Sequence, residues 1–148
     1  MSAPLYNQDI LRLATSIQHQ GRLVDADASV ELRSPTCGSR ITVDVRVDDA
    51  GRLIDLGLEA RACALGQASA SLMAANAIGR SVHQTTEAAE RLRAFLSNPD
   101  ASADFWPGME VLAPARAYPA RHPSILLAFD AVATAMQQAV ALRRRGAA

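Results

Sequence analysis

The chain has 148 residues, enough for one domain with its own hydrophobic core and few for two. Apolar residues make up 49% and charged residues 20%, which is a globular rather than a disordered composition. Fifteen basic residues balance fifteen acidic ones, so the basic excess that phosphate binding leans on is missing and nucleic acid is not expected as a partner.

Met1–Gln20 lacks the basic-then-apolar order of a secretion signal. No segment reads as long and apolar enough to span a membrane, and a cytoplasmic protein is expected. Leu5 to His19 carries Ile10, Leu11, Ala14 and Ile17 at helical spacing, which predicts an amphipathic helix stopped by Gly21. From Ala28 the period becomes two. Val30 and Leu32 alternate with Glu31 and Arg33, and Ile41, Val43, Val45 and Val47 with Thr42, Asp44 and Arg46. Leu53 to Leu58 follow the turn Asp48-Asp49-Ala50-Gly51, completing a three-stranded antiparallel meander with one apolar face.

After Glu59 the chain turns to the Ala- and Ser-rich run ARACALGQASASLMAANAIG, whose small side chains suit a helix packed closely on a sheet. Ser81 or Thr85 is placed to cap a further helix through Glu87, Leu92, Phe95 and Leu96. Asn98 to Pro119, with four prolines, reads as an ordered irregular connection in which Phe105 and Trp106 plug the core. A last helix is expected from about Ser124 to Arg145, with Ser124 as its N-cap. Arg143, Arg144 and Arg145 suit the dipole at its end and need no acidic partner there. His19 and His83 read as surface positions. Strands first and helices after them make residues 1–148 a single α+β domain, with a three-stranded antiparallel sheet against a layer of helices.

Two cysteines, Cys37 and Cys63, stand 26 positions apart. In a reducing compartment such a pair is buried filler, a redox site or half of a metal site. Cys37 lies in the polar turn SPTCGSR between two strands, and Cys63 at the start of the Ala-rich helix, where unpaired N–H groups and the dipole improve a thiol as nucleophile or ligand. The two are expected at one end of the sheet, together with Ser124.

Three stretches, PTCGSR, ACALGQASASLMA and YPARHPSILLAFDA, in that order after a leading helix, resemble the NifU/IscU/SufU family of iron–sulfur cluster assembly scaffolds over nearly the whole chain. The long proline-containing connection before Tyr118 is more similar to the SufU branch. The resemblance implies a SufE/IscU-like fold and a non-enzymatic scaffold or carrier. Its cargo would be iron, a 2Fe–2S cluster or zinc, its partners a cysteine desulfurase and apo iron–sulfur proteins, with a homodimer as one option. It also implies a ligand set of three cysteines and an aspartate. Cys37 and Cys63 match the first two cysteines, whereas Ser39 stands at the aspartate and Ser124 at the third cysteine. His122 lies two residues before Ser124, while the IscU branch carries its histidine at the position of Pro123.

A neutral hydroxyl is a poor ligand for soft metals. The deficit could be met by His122, by two protomers pooling Cys37 and Cys63, or by a protein that holds no metal and carries sulfur. The last is the SufE-like alternative, a persulfide acceptor at Cys37 or Cys63, with Cys37 favoured because a hairpin tip can reach a partner's active site. A degenerate relative with a regulatory role is the third reading.

Overall fold

The computed structural model describes residues 5–35 and 38–146, so the expectation that Cys37 occupies a hairpin tip lies outside the described residues. The elements run α1 (Gln8–Ala14), β1 (Ala28–Arg33), β2 (Arg40–Val47), β3 (Leu53–Arg61), α2 (Ala64–Asn76), α3 (Val82–Ser97), two 3₁₀ stretches (Met109–Ala117 and Pro119–Arg121) and α4 (His122–Gly146). The three strands form an antiparallel meander in the order β1-β2-β3. Val43 sits between Val30 and Leu58 in register, and Val45 between Ala28 and Leu56. All six are buried on one face, as the two-residue period requires. The β2–β3 turn is held by the Asp48 carboxylate, which accepts from the N–H groups of Ala50 and Arg52 at 2.9 Å each.

Helix α4 crosses the inner face over β1 and β2 and touches both α2 and α3. Ile125, Ala128, Phe129, Val132, Ala135, Met136 and Ala139 are its buried side. With the turn before it, this helix covers 28 residues that are long and apolar enough to cross a membrane, contrary to the sequence expectation. More than half of its most apolar stretch is buried inside the fold, where the sheet and the other helices cover it. Helix α2 is buried on almost every side because Gly66, Ala68, Ser69, Ala70, Ser71 and Ala74 let α1 and α4 approach it. Ser81 caps α3 in a reciprocal box with Gln84, its hydroxyl accepting from Gln84 N at 3.2 Å and Gln84 Oε1 accepting from Ser81 N at 2.9 Å. Trp106 does plug the core: it is 2% exposed, donates Nε1–H to the Leu72 carbonyl at 2.7 Å and meets Phe129 edge-on. Arg143 also meets two carboxylates, Asp49 at 2.9 Å and Asp27 at 3.9 Å.

Helix α1 is half its expected length. Asn7 caps it, accepting from Ile10 N at 3.0 Å, but the Thr15 and Ser16 hydroxyls turn back to the carbonyls of Leu11 and Arg12 and the helix ends. The chain then becomes a strap. His19 and Gly21, both at positive φ, pair with the free edge of β3: Leu58 N donates to His19 O at 3.0 Å and Gly21 N to Leu58 O at 2.8 Å. From there the strap crosses the outer sheet face above Gly57 and Asp44, which are partners in the β2–β3 register.

Gly57 is needed there, since a Cβ on it would stand 2.6 Å from Gly21 O, a backbone atom with little freedom to retreat. Gly57→Ala should therefore destabilise the fold by about 2–3 kcal/mol. A denaturant melt will measure it, and an unchanged midpoint would mean that the strap yields.

Candidate functional site

Three segments far apart in sequence meet at one end of the sheet. The turn between β1 and β2 closes on Ser34 and Ser39, with Ser34 N donating to Ser39 O at 2.8 Å and Gly38 N to Ser34 O at 3.2 Å; Gly38 takes φ +72° to permit this. Ser39 thereby enters β2 with its side chain inward, 4% exposed. Cys63 is the half-buried N-cap residue of α2, with no capping bond from its own side chain. Ser124 lies in the first turn of α4 and is 2% exposed.

The Ser39 and Ser124 hydroxyls are 3.0 Å apart, and Ser124 Oγ is 3.4 Å from Cys63 Sγ. The expected convergence of Cys63 and Ser124 is therefore present, and Ser39 joins them. Cys37, the fourth position of this set, is outside the described residues. Ser124 is not the N-cap expected of it. The helix starts at His122, two residues earlier, because the preceding 3₁₀ turn Pro119–Arg121 runs straight into it. The Ser124 hydroxyl faces Ser39 and Cys63 instead.

Two residues unremarked in the sequence hold this geometry. Gly66 lies one helical turn from Cys63, and a Cβ there would stand 2.5 Å from Ser124 Oγ and 2.7 Å from the Ala62 Cβ. Its bare Cα is what lets α4 come so close to α2. Ser69, one turn further, donates its hydroxyl to the Ile125 carbonyl at 2.6 Å and ties the start of α4 to α2. The spacing of three through Cys63, Gly66 and Ser69 is the signal that marks one helical face. Gln67 braces the other side of the turn, donating Nε2–H to the Ala62 carbonyl at 2.9 Å.

His122 is half-buried in the first turn of α4, with Nε2 at 2.9 Å from the Ala115 carbonyl. A carbonyl only accepts, so Nε2 carries the proton and a neutral ring keeps its lone pair on Nδ1. His19 and His83 are exposed, the latter 3.9 Å from Glu87. Among the described residues no group of three or more His, Cys, Asp or Glu side chains gathers as a metal site.

The chain matches the family model of the NifU-like N terminal domain over residues 5–124. It is 28% identical over 134 residues to the iron–sulfur cluster assembly scaffold protein IscU of Thermotoga maritima, covering 90% of this chain and 94% of that protein. The protein of the same name from Streptococcus pyogenes is 28% identical over 121 residues, covering 81% and 75%. Among solved structures, the N-terminal part of a nitrogen-fixing NifU-like protein from Brucella abortus superposes with a TM-score of 0.84 at 38% identity, covering 90% and 93%. A SufU described as a putative scaffold, from Fervidobacterium islandicum, shares the fold with a TM-score of 0.82 at 20% identity, covering 89% and 96%. With its leading helix, its three-stranded meander and its helical layer in place, the chain belongs to the NifU-like N-terminal domain family.

Proposed function

We propose that this protein is a scaffold or carrier in iron–sulfur cluster assembly, holding iron, a 2Fe–2S cluster or zinc as cargo through Cys37 and Cys63. The observation that carries this reading is the meeting of Cys63, Ser39 and Ser124 at one point, at positions the family resemblance assigns to ligands. The relatives named as scaffold proteins support it. In this reading the chain works in the cytoplasm and makes or breaks no bond of its own substrate. A cysteine desulfurase supplies sulfur and apo iron–sulfur proteins take the product.

Thiolates are the preferred donors for such cargo, and hydroxyls are not. Cys37 and Cys63 thus need help to fill four positions. His122 offers Nδ1 as a third donor, with its Nε2–H held by a backbone carbonyl in the manner of metal-bound histidines. A second protomer can supply two more thiolates.

One observation favours a second reading, the SufE-like sulfur acceptor. Ser124 places a buried hydroxyl 3.4 Å from Cys63 Sγ, a neighbour suited to a sulfur anion rather than to a metal. Anaerobic purification followed by metal analysis and an absorption spectrum separates the two. Sulfur-to-iron bands or stoichiometric zinc, removed by Cys63→Ser, are expected of the scaffold. A metal-free protein that gains the mass of sulfur from a charged desulfurase would replace it by the acceptor.

A further inference from the structure

We infer that Ser39 and Ser124 act in series as positioning residues for Cys63, and that Cys63 is the thiol that takes sulfane sulfur from a protein persulfide. This rests on the sulfur-acceptor reading above and adds to it which thiol receives sulfur and what holds that thiol in place.

The argument begins with proton counting. Each serine hydroxyl has one hydrogen to give, and Ser124 Oγ has two neighbours, Ser39 Oγ at 3.0 Å and Cys63 Sγ at 3.4 Å. An attacking sulfur is anionic and only accepts, so the Ser124 hydrogen goes to Cys63. That leaves Ser124 able only to accept from Ser39. With the sulfur anionic, the chain runs from Ser39 O–H to Ser124 Oγ and from Ser124 O–H to Cys63 Sγ. Ser39 works on the sulfur only through Ser124.

Both hydroxyls are buried, so water does not compete for them, and bonds aligned in one direction strengthen one another in such surroundings. The donor is also held rigidly with respect to the sulfur. Gly66 and Ser69 fasten the first turn of α4 to α2, and α2 carries Cys63 at its cap. Neutral hydroxyls at these positions, one donating to the sulfur and the other to the first, suit a lone sulfur anion, which anionic side chains in the same places would repel.

The step balances without any oxidant. The Cys63 thiolate attacks the outer sulfur of the donor's R–S–SH group, and its electron pair forms the new S–S bond. The old S–S bond breaks with its pair on the donor cysteine, which leaves as R–S⁻. Cys63 becomes Cys63–S–SH, and the terminal proton travels with the transferred sulfur.

The test uses the full chain and a cysteine desulfurase charged with cysteine, reading transferred sulfur by mass and fitting kcat and KM for the acceptor protein. Ser124→Ala should lower kcat about tenfold or more and leave KM within about twofold, since docking does not involve a buried hydroxyl. Ser39→Ala should lower kcat by a smaller factor, and the double variant should be no slower than Ser124→Ala alone, because the two act through one bond. Cys37→Ser should still take sulfur, on Cys63. Thermal midpoints of the variants show that they fold, and if Ser124→Ala does not, Ser39→Ala carries the test. Unchanged kcat, multiplying effects of the two serines, or sulfur found on Cys37 alone would overturn this inference and leave the acceptor reading standing. A wild-type chain that takes no sulfur at all would remove that reading and the inference with it.

Discussion

Ser124→Cys should bind zinc about a hundredfold or more tightly than the wild-type chain, a gain of roughly 3 kcal/mol. The residue already points at Cys63, with Oγ 3.4 Å from Sγ, and the missing Cβ of Gly66 keeps the space open. A thiolate placed there replaces a neutral hydroxyl by a soft anionic ligand, and ligand number and charge dominate affinity for such metals. The substitution gives up no helix cap, since Ser124 is not one. It loses the bond to Ser39, at about 1 kcal/mol, and the fold should survive. Ser39→Asp should add less, because an oxygen ligand suits zinc only moderately. Zinc titration of both proteins under reducing conditions decides the matter. Equal and tight binding would mean that the wild-type site is already complete, with His122 or a second protomer supplying the ligand.

The second large effect belongs to stability. Asp44 is fully buried on the outer face of the sheet, under the strap. Its carboxylate accepts from Arg22 Nε at 2.7 Å, Arg22 Nη2 at 3.1 Å and Leu23 N at 2.9 Å, and from Ser29. Burial by itself would raise its pKa. The bonds from Arg22, Ser29 and Leu23 outweigh that and hold the carboxyl below the usual range. Asp44→Ala should destabilise the protein by about 2–3 kcal/mol, at the lower end for a broken buried pair because the guanidinium, half exposed, returns to water. The pH dependence follows from the direction of the shift. Between the two pKa values the unfolded chain binds the proton that the folded chain refuses, so the stabilisation is complete above the ordinary carboxylate value of about 4 and is lost as pH falls through the lower folded value. Asp44→Asn should remove that part of the acid limb in melts taken between pH 5 and 2. An acid limb identical to wild type would show that other carboxylates carry it.

Much of the fold was legible in local patterns, for a physical reason. Alternation along Val43, Val45 and their neighbours is dictated by the pleat, and the Ser81–Gln84 box by the unpaired N–H groups of a helix start. Both are properties of a few adjacent residues. The sequence by itself therefore determined the α+β class, the meander, the order of helices and the place of Cys63 at a helix start. It also singled out Ser39, Ser124 and Cys63 as members of one site, though by resemblance rather than by periodicity. What the site does with those residues was decided in three dimensions, by contacts between positions 85 and 61 apart in the chain. Ser124 preceded an apolar helical run and read as a cap. Only the 3₁₀ turn feeding α4, and the close approach allowed by Gly66, direct its hydroxyl to Cys63. The strap is the same kind of case. Nothing local to Gly21, Asp44 or Gly57 says that a loop will cross there, and past the early end of α1 the chain pairs with the edge of β3 instead of continuing the helical spacing. Local chemistry chooses the elements, and the choice of which buried polar atoms face one another is made only when those elements pack.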